Sequence, residues 1–81
     1  MINIRFFAML RERLGVDKVD FQYTDEKTVF DIKQKLIARG EPWTLLAEQD
    51  VLIAVNQTLT SASATVNDGD EIAFFPPVTG G

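Results

Sequence analysis

An amphipathic helix pattern in the middle of the chain is the feature that most constrains the fold. Its apolar face carries Val29, Ile32 and Leu36, which recur with helical spacing. Thr28 stands three residues before Asp31, the spacing of a capping box at a helix N-terminus. Gly40 is expected at the C′ position, and Pro42 prevents any continuation of the helix. A helix with one apolar stripe needs a second layer against which to bury it.

Strand patterns on both sides of this helix supply that second layer. Alternating or β-branched apolar residues predict strands over 2–8, 19–23, 51–55 and 71–75. A short partner strand, 58–60, follows a predicted turn at Asn56-Gln57, and a second turn is predicted over 67–70. Residues 9–15 and 43–48 are expected to form short helical connections.

The order of these elements predicts a single α+β domain, with a mixed sheet covered on one face by one main helix. Because the helix joins an N-terminal hairpin to later strands, the topology that fits best is the β-grasp, in which the first and last strands are parallel neighbours. We assign residues 1–75 to this domain and residues 76–81 to an extended C-terminal tail.

The composition excludes several classes of site. The chain has 81 residues, no Cys, no His and a formal charge of −4. Thiol chemistry is therefore absent, a metal site is not expected, and the net charge is the wrong sign for binding nucleic acid. The hydrophobic content is 46%, without a membrane-spanning run or a secretory signal, so we expect a cytoplasmic protein with no membrane partner.

The tail PPVTGG has the properties of a segment that enters another protein. It consists of Pro76, Pro77, Val78, Thr79, Gly80 and Gly81. The prolines end the sheet ladder and extend the chain, while the glycines have no side chains to obstruct a narrow channel. The α-carboxylate of Gly81 is the only functional group at the tip, and it needs activation before a nucleophile can attack it. Since the chain has no phosphate-binding loop, a separate enzyme would supply ATP.

Four segments together resemble the sulfur-carrier small subunit family of molybdopterin synthase. They are FFAMLRERLG from Phe6, VNQTL from Val55, DGDEIAFF from Asp68 and the ending FFPPVTGG. The resemblance covers essentially the whole chain, and PPVTGG is its most specific part. It implies a ubiquitin-like fold.

The resemblance also implies a reaction cycle with several partners. An activating enzyme that uses ATP and Mg adenylates Gly81, and a sulfur donor converts the adenylate to a thiocarboxylate. The large synthase subunit then receives the tail, and sulfur passes to cyclic pyranopterin monophosphate. The family assembles as a heterotetramer with the catalytic groups on the large subunit. This chain is therefore expected to bind no cofactor and to act as a sulfur-donating co-substrate.

Strand parity predicts a docking face for these partners. Phe7 and Phe75 fall on the side of the sheet opposite the helix and lie close together if their strands are neighbours. Leu59 is expected to join them, and Arg11 to supply a polar rim. The alternative is that these aromatic residues only favour strand structure, which needs no partner.

Two other functions stay open. The related sulfur carrier for thiamine synthesis also ends in Gly-Gly on a β-grasp domain, although its tail normally lacks the Pro-Pro pair. A ubiquitin-like modifier would instead join its C-terminus to lysines of target proteins. The formation of conjugates of higher mass separates a modifier from a carrier.

Overall fold

A five-stranded mixed sheet is the framework of the molecule. The structure, a computed structural model, describes residues 1–48 and 51–77. Its strands are β1 (Ile2–Phe6), β2 (Lys18–Phe21), β3 (Leu52–Val55), β4 (Thr58–Thr60) and β5 (Glu71–Phe75). Their order across the sheet is β2-β1-β5-β3-β4, with β1 parallel to β5 and the other neighbours antiparallel. This order confirms the predicted β-grasp.

The helices are α1 (Met9–Leu14) and α2 (Val29–Ile37), and a short 3₁₀ helix spans Trp43–Ala47. The predicted capping box is present: the Thr28 hydroxyl accepts a hydrogen bond from the Asp31 amide, and the Asp31 carboxylate accepts one from the Thr28 amide. Gly40 has a φ of +88° but lies two residues beyond the C-cap Ala38, so its expected C′ position was wrong. The helix therefore ends one residue earlier than predicted, and its apolar stripe lies wholly within α2.

The two strands of the first hairpin, β1 and β2, both end two residues before their predicted C-terminal boundaries. In the hairpin register, Ile2 pairs with Phe21, so the residues after Phe21 have no partner on β1. Tyr23 therefore lies outside β2, although its ring packs against the core. At the other end, Ala8 has a φ of +53°, which ends the extended chain of β1 before the predicted boundary.

The core lies between the sheet and α2. Ile4, Phe6, Ile72 and Phe74 of the central strands and Val29, Ile32 and Leu36 of α2 are at most 1% exposed. The ring of Phe6 stacks on Phe74 at 5.8 Å and meets the edge of Trp43 at 5.7 Å. Since the whole helical layer lies on this side, the opposite face of β1, β5, β3 and β4 stays open.

Candidate functional site

The open face carries a stacked pair of phenylalanines. The rings of Phe7 and Phe75 lie 4.8 Å apart and within 9° of parallel. Phe7 follows the last residue of β1, and its amide donates to the carbonyl of Phe74, which continues the contact between these two strands. The expected proximity of the two rings is therefore confirmed.

A groove of about 280 Å³ runs beside this aromatic pair. Its lining residues are Arg5, Phe7, Ala54, Gln57, Leu59, Glu71, Ala73 and Phe75. Ala54 and Ala73 are direct cross-strand partners, and their small side chains form its floor. Leu59, 70% exposed, stands on the β4 side. The wall of the groove is apolar at Phe7, Leu59 and Phe75 and polar at its other residues, and the alanine floor leaves room for an apolar side chain.

The structure adds two residues to the open face and leaves one expected residue out of the groove. Leu52, 37% exposed, is the cross-strand partner of Phe75, on the open face of the interior strand β3. The alternation of side chains along a strand, which predicted Phe7 on the open face, also predicts Leu52 there. Arg5 lines the groove, whereas Arg11 lines a separate depression with Glu12 and Asp17. Contact between Arg11 and a partner stays a prediction.

A strained residue joins this face to α1. Ala8 has φ +53° and ψ −128°, a region that residues with a Cβ rarely adopt. The turn is closed by a hydrogen bond from the Leu10 amide to the Phe7 carbonyl. The chain thus passes from β1 into α1 within two residues while the Phe7 ring stays on the open face.

The tail starts at the end of β5, beside the end of β1. Pro76 and Pro77 are half-buried and have no strand assignment, as expected for residues that end a ladder. Val78, Thr79, Gly80 and Gly81 lie outside the described residues. Their predicted role as the segment that enters a partner, and that of the Gly81 carboxylate, stays a prediction.

A separate polar cluster fixes the loop before α2. Glu26 is 2% exposed, and its carboxylate accepts hydrogen bonds from the amide and hydroxyl of Thr24 and from the Lys35 ammonium. Burial raises the pKa of Glu26, but the bonds from Lys35 and Thr24 outweigh it and hold the pKa at about 2. The pair likewise raises the pKa of Lys35.

This cluster shows that the charged side of α2 is not only a solvated face. Lys35 reaches from α2 to a buried carboxylate, and half-buried Lys33 has its pKa lowered by burial. Sequence pattern gave no signal for Glu26, because a buried acid in a loop has no periodicity. Among residues 1–48 and 51–77, acidic groups form no cluster that could hold a metal ion, and no helix is long and apolar enough to cross a bilayer.

Comparison with known proteins identifies the family of this fold and tail. The sequence profile of the ThiS family matches residues 4–81, which is nearly the whole chain. The chain belongs to the ThiS family. The match includes β1 from Ile4, the open face and the tail.

Curated relatives of this ThiS-family chain include molybdopterin synthase sulfur carrier subunits. It is 45% identical to the subunit from Haemophilus influenzae and 46% identical to that from Escherichia coli, with 100% of both chains covered in each case. It is also 31% identical to small archaeal modifier protein 3 of Haloferax volcanii, over 99% of this chain and 98% of the relative. The predicted resemblance is therefore confirmed.

Solved structures support the fold assignment. A Haloferax volcanii protein determined in solution matches this ThiS-family chain with a TM-score of 0.77 and 30% identity, covering 99% of this chain and 85% of the other. A chain in a complex of subunits 1 and 2 of the molybdopterin-converting factor from Helicobacter pylori matches with a TM-score of 0.65 and 22% identity. That match covers 99% of this chain and 97% of the other, and at this identity it shows the fold alone.

Proposed function

We propose that this protein is the sulfur carrier of molybdopterin synthase. The observation that carries the proposal is the 45–46% identity, over full length, to two curated sulfur carrier subunits. The β-grasp fold and the open apolar face are consistent with it. Under this proposal the protein acts in the cytoplasm with a large synthase subunit, an activating enzyme and a sulfur donor.

The proposed chemistry takes place at the Gly81 carboxylate. A carboxylate oxygen attacks the α-phosphate of ATP on the activating enzyme, with Mg present, and pyrophosphate leaves. Hydrosulfide or an equivalent sulfur donor then attacks the carbonyl carbon of the adenylate and releases AMP, so one oxygen is replaced by sulfur. The thiocarboxylate sulfur is ionised and polarisable, and it attacks an electrophilic carbon of cyclic pyranopterin monophosphate and displaces an oxygen substituent from it. Water then cleaves the acyl carbon–sulfur bond of the resulting thioester, which leaves the sulfur on the pterin and returns the Gly81 carboxylate.

The partners supply what this chain lacks. With no His and no Cys, the chain has few groups for general acid–base or thiol chemistry. We therefore assign the acid, the base and the anion-binding groups to the large subunit, and the ATP site to the activating enzyme. This chain presents the tail and binds no cofactor.

Docking is assigned to the open face around Phe7 and Phe75. This surface combines exposed Phe7 stacked on half-buried Phe75, exposed Leu59 and a groove with an alanine floor. Interfaces concentrate their affinity in apolar anchors of this kind. The 45–46% identity to two sulfur carrier subunits of molybdopterin synthase supports assembly with a large subunit.

The direct test of the proposal is the intact mass of the protein after incubation with ATP, magnesium, the activating enzyme and sulfide. We expect a mass gain equal to the replacement of one oxygen by sulfur, and no gain for a variant that lacks Gly81. The matched control is Lys27→Ala, which alters an exposed loop residue outside the tail. An unchanged mass, with an activating enzyme proven active on another carrier, would contradict the proposal.

A ubiquitin-like modifier is the second candidate. It is favoured by the 31% identity to small archaeal modifier protein 3 over almost the whole of both chains. Incubation with ATP, activating enzyme and cell extract distinguishes the two functions. A modifier forms covalent conjugates of higher mass through Gly81, whereas a carrier yields only the thiocarboxylate.

A further inference from the structure

Two cations lie directly opposite each other on the open face. Arg5 of β1 and Lys18 of β2 are cross-strand partners in the antiparallel register, and both side chains are exposed. Directly opposed like charges destabilise a sheet. Because this repulsion does not stabilise the isolated domain, we look for the role of the two cations in contact with another molecule.

Within the described residues, these two cations have no carboxylate partner within 4 Å, whereas the Lys35 ammonium has two and the N-terminal ammonium has one. On the open face, Asp20 and Glu71 stand opposite Asn3, one pair further along the strands. Glu12 and Asp17 share a depression with Lys18 but do not pair with it. The positive charge of Arg5 and Lys18 is therefore available to a partner.

The cation pair adjoins the apolar groove. Arg5 itself lines the groove together with Phe7, and Lys18 lies on the next strand outward. No Lys or Arg follows Arg39 in the sequence, so β3, β4 and β5 contribute no cation to the opposite side of the groove. The cations of the open face thus lie on its β1–β2 side, at the Arg5–Lys18 pair next to Phe7, while Asp20 lies at the next pair on this face, toward the opposite end of β2.

We propose that the open face binds a segment of the large synthase subunit in which a carboxylate lies beside an apolar anchor. The apolar side chain occupies the alanine-floored groove, and the carboxylate lies between Arg5 and Lys18. Because the cations lie on one side only, they fix the direction in which the segment crosses the sheet. This inference rests on the proposed function, which makes the open face the docking surface.

The test is calorimetric titration of the variants with the large molybdopterin synthase subunit of the same organism, at low and high ionic strength. The informative variants are Arg5→Ala, Lys18→Ala and Arg5→Lys. Lys27→Ala is the control, since it removes a cation from the exposed loop before α2. Phe7→Ala tests separately whether the open face is the docking surface at all.

We expect Arg5→Ala and Lys18→Ala each to weaken binding about fivefold or more at low ionic strength. Salt reduces this loss because it screens exposed charges. Arg5→Lys keeps most of the affinity and Lys27→Ala keeps all of it. The melting temperatures of the two alanine variants stay equal to that of the wild type or rise, because the repulsion between the cations is removed.

Two results would overturn the inference. If Phe7→Ala abolishes binding while Arg5→Ala and Lys18→Ala bind as the wild type does, the face docks a partner without a carboxylate contact. If the alanine variants lose affinity together with melting temperature and without salt dependence, the two cations serve the fold. If Phe7→Ala binds with the affinity of the wild type, the partner does not dock on the open face. That result would contradict the docking surface assigned under the proposed function.

Discussion

At the scale of single residues, buried charge and exposed aromatic surface have opposite roles. Glu26 is a buried carboxylate whose hydrogen bonds are supplied by Thr24 and Lys35, so it stabilises the loop before α2. Phe7 is an exposed ring stacked on Phe75, on the face that α2 does not cover. We therefore expect replacement of Glu26 to affect folding and replacement of Phe7 to affect binding.

Glu26→Gln is expected to lower the free energy of unfolding at neutral pH by about 1–3 kcal/mol, because Lys35 and Thr24 lose a charged acceptor. Asp25→Asn is the matched control: Asp25 also faces Lys35, at 3.5 Å, but is 90% exposed. We expect a loss below about 1 kcal/mol for the control. Urea denaturation measures both, and equal losses would contradict the role of burial.

The pH dependence of the same variant tests the lowered pKa of Glu26. The pKa falls from an ordinary 4.5 to about 2, so the stabilisation is fully present above 4.5 and is lost as the pH falls toward 2. We therefore expect the difference in unfolding free energy between the wild type and Glu26→Gln to shrink over this window. A difference that stays constant down to pH 2 would show that the Glu26 pKa is not lowered.

Phe7→Ala is expected to weaken binding to the large subunit about tenfold or more, because an aromatic anchor leaves the interface. Phe30→Ala is the matched control, since Phe30 is 53% exposed but lies on α2, away from the open face. We expect the control to bind like the wild type in calorimetric titration. If Phe30→Ala weakens binding and Phe7→Ala does not, the docking surface lies on α2 instead.

At the scale of elements, the joints between strands and helices determine which side chains reach the open face. Ala8 turns the chain from β1 into α1 at a φ of +53°. Asn56 and Gln57 join β3 to β4 with φ values of +49° and +69°, as a tight hairpin of this kind requires. These joints place Phe7 and Leu59 on the same side of the sheet.

Ala8→Gly is expected to raise the free energy of unfolding by about 1 kcal/mol, because glycine adopts this left-handed conformation without strain. Ala38→Gly is the matched control. Ala38 has a φ of −64° in the right-handed region, so its replacement costs roughly 0.5–1 kcal/mol. Thermal denaturation gives both values, and a loss of stability for Ala8→Gly would show that Ala8 is not strained.

Element types were predictable from the sequence because periodicity and capping are local properties. The Thr28–Asp31 capping box, the Asn56-Gln57 turn and the alternation in β5 each specify structure within a few residues. Strand ends were less predictable because they depend on pairing: β2 stops at Phe21, where β1 begins. The pair of Glu26 and Lys35 was missed, since it joins a loop to a helix nine residues away.

At the scale of the whole molecule, the β-grasp presents two sides with different tasks. The side covered by α2 holds the core. The open side carries the groove, the phenylalanine pair and the cation pair of Arg5 and Lys18. The parallel pairing of β1 and β5 places the start of the tail beside the end of β1, which leads directly to Phe7. A partner that docks on the open face therefore lies close to the tail that it is to receive.

Reconstituted sulfur transfer is the measurement that tests the central claim most directly. The thiocarboxylated protein would be mixed with the large molybdopterin synthase subunit and cyclic pyranopterin monophosphate. Two sulfur transfers give the dithiolene of molybdopterin, and this product would be measured together with the intact mass of the carrier. The account predicts that product forms and that two thiocarboxylates return to carboxylates for each product molecule. Thiocarboxylate that persists beside an active large subunit, with no product formed, would contradict it.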